Sequence, residues 1–303
     1  MKKMMYGILG FILKSFARLP LGVLYIFSDI IGFILCHIIR YRRKIILSNL
    51  KACYPEKNQK KLEIIADEFY HRLADYFFET VKLLHISDRE MEKRMKFENL
   101  ELIESILRDG RSVTIYFSHC FNWEWAPSTT LYLTPEINGK KIKFCQIYRP
   151  LRNVWFDALM LQLRSRFDSI SIPKNRTLRE LMTMHRDGFL TVTGFMSDQK
   201  PSHGDPIHVV SFLRRPTAVI TGTAMLACRM ATGVVYWDII HEGRGHYRIL
   251  TRPITSNAST LTPEEVTDKY FKLLEQTIDR DPANWLWSHN RWKHPVTLPD
   301  KNQ

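Results

Sequence analysis

The 303 residues hold no CxxC pair, no HExxH, no GxSxG elbow, no internal repeat and no Gly/Ser linker. The missing CxxC and HExxH patterns leave no thiolate or histidine zinc signature, and the missing elbow removes the usual serine-hydrolase geometry. Five cysteines, an odd number without regular spacing, argue against a disulfide framework and for a reducing, cytosol-facing compartment. Acidic residues are in deficit, 31 against 44 Lys and Arg, so the net charge of +13 favours anionic partners such as phospholipid surfaces, phosphorylated glycolipids, acidic carrier proteins or nucleic acid. Without a linker, residues 45–303 are expected to form one domain, and 45% hydrophobic residues can fill a substantial core.

Long apolar runs are equally scarce; the one candidate lies near the N-terminus. Between Leu19 and Ile39 stand 13 Leu, Ile, Val or Phe residues. They supply very roughly −4 to −8 kcal/mol of insertion free energy, against about +3 for the central Asp29 and further penalties at Pro20, Ser28 and His37. Residues 1–44 therefore read as a membrane anchor that either crosses the bilayer once or lies in its surface as an amphipathic segment. No small-residue cleavage site follows, so the segment is not a signal peptide. RYRRK at 40–44 places the bulk of the chain on the cytoplasmic side by the positive-inside tendency, with Lys2, Lys3, Lys14 and Arg18 on the other flank opposing it.

Helical spacing of Leu62, Ile65, Phe69, Leu73, Tyr76, Phe77, Val81 and Leu84 predicts a long amphipathic helix over 60–84. SDRE at 87–90 opens a shorter one, and Thr262, Pro263 and Glu265 form a capping box before a helix over 263–280. Strands are expected at 112–117, 143–148, 189–195, 208–213, 233–240 and 246–254. Further helices are expected at 99–107, 122–133, 153–166, 177–187 and 216–231. The alternation predicts an α/β fold with a central, mostly buried sheet flanked by helices.

SHCFNWEW, at 118–125, follows the apolar run VTIYF. His119 then falls at the carboxyl end of a strand, where open α/β sheets place ligands. A spacing of five puts Glu124 in the first turn of the next helix, within plausible reach of the imidazole. Such a pair suits general-base work, the carboxylate fixing the ring tautomer; the plain alternative is a half-buried polar pair. Cys120 and Ser118 are poor nucleophile candidates because neighbours in an extended chain point opposite ways from His119. At least one of Trp123 and Trp125 reads as core packing. The closing Trp285 and Trp287 also read first as packing, with an interfacial membrane belt that includes Trp292, Arg291 and Lys293 as the alternative.

Five segments in order carry a family resemblance: RRKIILSNLKACYPE (42–56), HCFNWE (119–124), IYRPLRNVWFDALMLQLRSR (147–166), SDQKPSHG (197–204) and WLWSHNRWK (285–293). Together they resemble the bacterial lipid A biosynthesis (late) acyltransferases of the lysophospholipid acyltransferase superfamily, with its HxxxxD/E box. The resemblance implies transfer of a fatty acyl group from a thioester, on acyl carrier protein or acyl-CoA, to a hydroxyl of a membrane lipid, most simply a lipid A precursor. His119 takes the hydroxyl proton in this scheme and Glu124 orients its ring. A thiolate leaves readily, so neither an acyl-enzyme nor a cofactor or metal is expected. Arg149, Arg164, Arg166 and Asp198 are expected to bind substrate, Arg149 through a phosphate of the acceptor or of the carrier arm, with Asp198 supporting the site or acceptor binding. Strand-end exposure for Arg149, helix-dipole pairing for Arg164 and Arg166 and turn chemistry for Asp198 are their plain alternatives. Cys120, Phe121 and Arg214 depart from the family pattern and bear on substrate choice. Other lipid acceptors, a thioester or lipid hydrolase, and a scaffold with a dead site are the competing functions; nucleic acid is not expected.

Overall fold

The computed structural model describes residues 2–298. Helix α1 (Lys2–Arg18) ends before Pro20, and α2 (Leu21–Phe33) begins directly after it, continuing as a wider π turn through Ile34–Ile38. α3 (Arg43–Cys53) leads to α4 (Gln59–Lys82), whose first turn is capped by the Asn58 side chain accepting from the Lys61 N–H. One face of α4 buries Leu62, Ala66, Phe69 and Leu73 in the core, as its periodicity requires. α5 (Asp88–Arg94), β1 (Met95–Glu98) and α6 (Glu101–Arg108) precede β2 (Val113–Phe117), all five residues of which are buried. A strand so apolar on both faces belongs in the middle of a covered sheet.

After β2 come a 3-10 helix (Trp123–Leu131), β3 (Glu136–Ile137), β4 (Lys140–Tyr148), α7 (Val154–Arg164), β5 (Ile170–Pro173), α8 (Thr177–Arg186) and β6 (Leu190–Met196). The remainder is β7 (Ile207–Phe212), β8 (Arg215–Ile220), α9 (Gly222–Arg229), β9 (Gly233–Gly243), β10 (His246–Thr255) and α10 (Pro263–Arg280). Eight strands form one sheet in the order β1-β10-β9-β2-β6-β4-β3, with β5 also on β4; β7 and β8 form a separate two-stranded sheet. β9, β2, β6, β4 and β5 run parallel, whereas β10 is antiparallel to β9. The fold is the expected α/β arrangement, and the carboxyl ends of β2, β6 and β4 come together at one edge.

Two expected helices differ. Residues 122–133 wind as a 3-10 helix because Pro127 has no N–H to bond back to Trp123, so an α turn cannot form there. Residues 216–231 split: Arg215–Ile220 pairs with β7, and the helix starts only at Gly222. The hairpin link Leu213–Arg214 has φ of +50° and +64°, the double left-handed turn that a two-residue hairpin demands. β1, β3 and β5 were not foreseen; each is four residues or fewer, too short for periodicity to register.

The apolar N-terminal region packs on the rest of the chain. Phe16 of α1 meets Phe27 of α2, with ring centroids 5.2 Å apart. Leu21–Ile38 is apolar enough and long enough to be a candidate membrane helix. Its polar residues nonetheless turn inward: the Ser28 hydroxyl donates to Asp75 at 2.6 Å, and Arg244, in the β9–β10 turn, bridges Asp29 and Asp75.

Candidate active site

His119 lies two residues beyond β2, and Asp198 two residues beyond β6, the adjacent parallel strand. Equal overhang from neighbouring strands brings the two side chains together. His119 Nδ1 and Asp198 Oδ1 stand 2.7 Å apart, and the His119 backbone N–H donates to Asp198 Oδ2 at 3.0 Å. Residues 284–286 run antiparallel to 119–121, through Phe121 N–H to the Asn284 carbonyl and Leu286 N–H to the His119 carbonyl. That pairing delivers the Trp285 indole N–H to Asp198 Oδ2 at 2.8 Å. Asp198 is 1% exposed. Burial alone pushes its carboxyl up, but the adjoining His119 ring and backbone N–H and the Trp285 indole outweigh it and hold the group down at about 2.

With Nδ1 committed to Asp198, Nε2 is the ring nitrogen turned outward. The Gln199 side-chain amide meets it at 3.1 Å and donates to it. The imidazole edge rests on Trp123, with ring centroids 5.0 Å apart. Trp123 also lines a groove of about 480 Å3 whose walls include Tyr76, Phe77, Leu286 and His289, and which reaches Leu35 and Tyr41 at the far end of the α2 extension. His289 is kept neutral by burial, pushed down to about 4, and its Nε2 accepts the Lys200 backbone N–H.

Glu124 does not hold His119; the carboxylate that does is Asp198. Residues 118–122 are irregular and the following turn is 3-10, so the spacing of five does not fold Glu124 back onto the ring. Its side chain instead receives a two-pronged contact from Arg164 at the end of α7, Nε to Oε2 at 2.9 Å and Nη2 to Oε1 at 2.6 Å. Trp123 Nε1 also donates to Oε1 at 3.2 Å, so Trp123 lies between the Glu124 pair and the imidazole. Arg164 stays charged there: burial disfavours the cation, but its contacts with Glu124 outweigh that and raise its pKa.

The other expected residues separate. Arg166 donates to the Ile86 carbonyl and to Asp88, tying α7 to the start of α5, away from the imidazole. Arg149 is exposed just past the carboxyl end of β4, the strand beside β6. Cys120 is buried, hydrogen-bonded to Ser118, and its thiol is pushed far up by burial, so no thiolate stands beside His119. Trp125 and Trp287 are core packing, as read from sequence. Trp285 and Gln199 are site residues that sequence reasoning missed, although both lie in quoted motifs; only the pairing of 284–286 with 119–121 and the turn after β6 reveal what they touch.

Residues 3–294 match the family described as bacterial lipid A biosynthesis acyltransferase. The chain is 22% identical over 288 residues to the lipid A biosynthesis palmitoleoyltransferase of Escherichia coli (strain K12), covering 93% of this chain and 89% of that protein. It is also 22% identical over 293 residues to the lauroyltransferase of the same pathway and organism, covering 94% and 90%. The corresponding myristoyltransferase matches at 22% over 246 residues, covering 81% and 73%.

Proposed function

Because the chain belongs to the bacterial lipid A biosynthesis acyltransferase family and is an acyltransferase, we propose that it moves a fatty acyl group from acyl carrier protein, or from acyl-CoA, to a hydroxyl of a lipid A precursor at the cytoplasmic face of the inner membrane. The observation that carries this reading is the His119–Asp198 contact of 2.7 Å, with Nε2 left facing outward.

An acceptor hydroxyl replaces the Gln199 amide at Nε2. As its oxygen attacks the thioester carbonyl, Nε2 takes the hydroxyl proton, and Asp198 stabilises the imidazolium. The tetrahedral intermediate collapses with cleavage of the C–S bond. The departing thiolate regains the proton as a thiol, and the acyl group is left as an ester on the lipid. No cofactor and no covalent acyl-enzyme enters this scheme.

Glu124 fixes Arg164 and Trp123, and through Trp123 the face on which the imidazole rests. Arg149, exposed at the same sheet edge, suits a phosphate of the acceptor or of the carrier arm. The groove from Trp123 to Leu35 offers a hydrocarbon chain an apolar route between the α2 helix and His119. The three relatives are named for three different acyl groups, so chain length is not carried across.

The test is acylation of a lipid A precursor by detergent-purified protein and labelled acyl carrier thioester. His119→Ala should lower turnover by about 10² to 10⁴-fold, whereas Cys120→Ser should retain most activity. Release of free fatty acid at the same rate without acceptor would indicate a hydrolase instead.

A further inference from the structure

Glu79 is fully buried in α4 and takes no part in the proton transfer above. Its carboxylate accepts three hydrogen bonds from three separate parts of the chain. The Tyr25 hydroxyl of α2 donates to Oε1 at 2.9 Å, the Tyr247 hydroxyl of β10 to Oε2 at 2.8 Å, and the Asn122 side-chain amide to Oε2 at 2.9 Å. A fourth bond uses the Glu79 backbone, whose carbonyl accepts the Trp125 indole N–H at 3.1 Å. Asn122 and Trp125 flank Glu124 in the HCFNWE segment and the turn after it. Asn122 in turn accepts the Glu124 backbone N–H on Oδ1 at 3.0 Å. One residue of α4 therefore clamps the box on both sides of Glu124 and ties it to Tyr25.

We infer that Glu79 is a positioning residue that couples the seating of helix α2 on the domain to the geometry of the Asn122–Glu124 segment beside His119.

The three partners of the carboxylate approach as donors, and the ionised form accepts from all of them on its two oxygens. A neutral amide accepts on one atom and must donate on the other, which inverts the hydrogen bond to Tyr25 or leaves the Asn122 amide facing another donor. Either change disturbs a buried network in which an unmatched donor is expensive. Burial pushes the carboxyl up to about 6, opposed by the Asn122, Tyr247 and Tyr25 bonds, so the anion persists at neutral pH. Tyr25 has little freedom to seat elsewhere. Gly245, with φ of +70°, lies against its hydroxyl so closely that any Cβ there would clash with the oxygen. The opposite face of α2, through Ile26 and Ile30, is exposed and apolar. What that face contacts is thereby transmitted through Tyr25 and Glu79 to the segment carrying Glu124.

The inference rests on the acyl-transfer reading for its kinetic arm only; hydrogen exchange supplies an arm that needs no substrate. In full-length protein, Glu79→Gln should lower kcat on the order of 10- to 100-fold, the range that outer-sphere partners command, with KM for the thioester unchanged. Tyr25→Phe, which deletes one donor and leaves the rest, should lower it roughly 5-fold. In both variants amide exchange measured by mass spectrometry should quicken in peptides covering 119–125 while peptides from α10 keep the wild-type rate. Combining Tyr25→Phe with Glu79→Gln should lower kcat no further than Glu79→Gln alone, because the Tyr25 hydroxyl acts through Glu79; losses that multiply would overturn the coupling. Exchange that quickens throughout the molecule, or that stays unchanged at 119–125 in Tyr25→Phe, would reduce Glu79 to a fold-stabilising residue and overturn the inference. A wild-type protein that acylates nothing, while 119–125 still loosens in the variants, would refute the acyl-transfer reading and leave the coupling standing.

Discussion

At the scale of single residues, two carboxylates within the same site separate by what they hold. Asp198 meets the imidazole, so Asp198→Asn should lower kcat by about 10² to 10⁴-fold, because the amide cannot support an imidazolium at Nε2. Glu124 meets Arg164, so Glu124→Gln should show itself mainly in stability. Removing one partner of a buried ion pair costs about 3–5 kcal/mol, measured by denaturant unfolding; a loss of turnover with full stability would return Glu124 to the imidazole. Acid titration distinguishes Asp198 from the buried Glu79. The Asp198 carboxyl is held at about 2, below its usual 3.8. Its contribution, on the order of 2 kcal/mol, is therefore complete above pH 3.8 and is lost as pH falls through 2. Glu79 runs the other way: raised to about 6 from 4.5, it favours the folded state most below pH 4.5 and loses that contribution as pH rises through 6. Unfolding free energies of wild type and Asp198→Asn should differ by a constant amount above pH 3.8 and draw together as pH falls from 3.8 through 2. His119 was legible in the sequence because a histidine after a buried strand is a local pattern. Its true partner lies 79 positions away and becomes visible only when β2 and β6 are known to be neighbours.

Elements were legible where period and punctuation agreed. α4 and α10 came from apolar spacing and caps, and the α10 capping box is formed by both of its hydrogen bonds. The box segment failed because one proline, Pro127, changes the helix type without disturbing the apolar pattern. The β7–β8 hairpin failed because its turn is Leu213–Arg214, a pair that carries none of the Asn-Gly signal such turns usually show. Arg214, a departure from the family pattern, sits in the left-handed region at a cost of about 1–2 kcal/mol for a residue with a Cβ. It recovers part of that from Asp279 at 3.2 Å and from the Tyr54 ring, 5.4 Å from the guanidinium carbon. An exposed ion pair and a cation–π contact supply about 0–2 kcal/mol together. Arg214→Gly should therefore change unfolding free energy by less than about 1 kcal/mol, relief of the turn offsetting the lost contacts. A loss above about 2 kcal/mol would show that Arg214 fastens the hairpin to α10 more strongly than these contacts imply.

Over the whole molecule, the exposed apolar side chains are concentrated at the N-terminal helices. Ile8 and Phe11 of α1, Ile26, Ile30 and Phe33 of α2, and Val154 and Phe156 of α7 are all exposed. α1 joins the other two: Tyr6 stacks on Trp155 with centroids 5.2 Å apart, and Phe16 meets Phe27. Exposed Lys14, Arg18, Arg40 and Arg42 supply cations at the helix ends, suited to anionic headgroups. Hydropathy finds the same segment but cannot choose between crossing and lying flat, because that depends on what the polar positions of α2 touch. Tyr25, Ser28 and Asp29 are bonded to the domain, and buried Lys82 donates to the carbonyls of Ala17 and Leu19 at 3.1 and 2.9 Å. A helix crossing the bilayer alone would carry α1 to the far side and break both the Lys82 and the Trp155 contacts. The anchor is therefore expected to lie in one leaflet, with α1 on the same side as the domain. Protease added to sealed inverted inner-membrane vesicles should then remove an N-terminal epitope tag as readily as it digests the domain; a protected tag beside a digested domain would show that α2 crosses. Ile30→Asp places a charge on the lipid-facing side without touching the bonded face. It should weaken binding to vesicles of anionic phospholipid by roughly 10²-fold, from a penalty of about 3 kcal/mol, while the unfolding midpoint in detergent stays put. Vesicle binding that survives Ile30→Asp unchanged would mean that this face of α2 does not meet lipid.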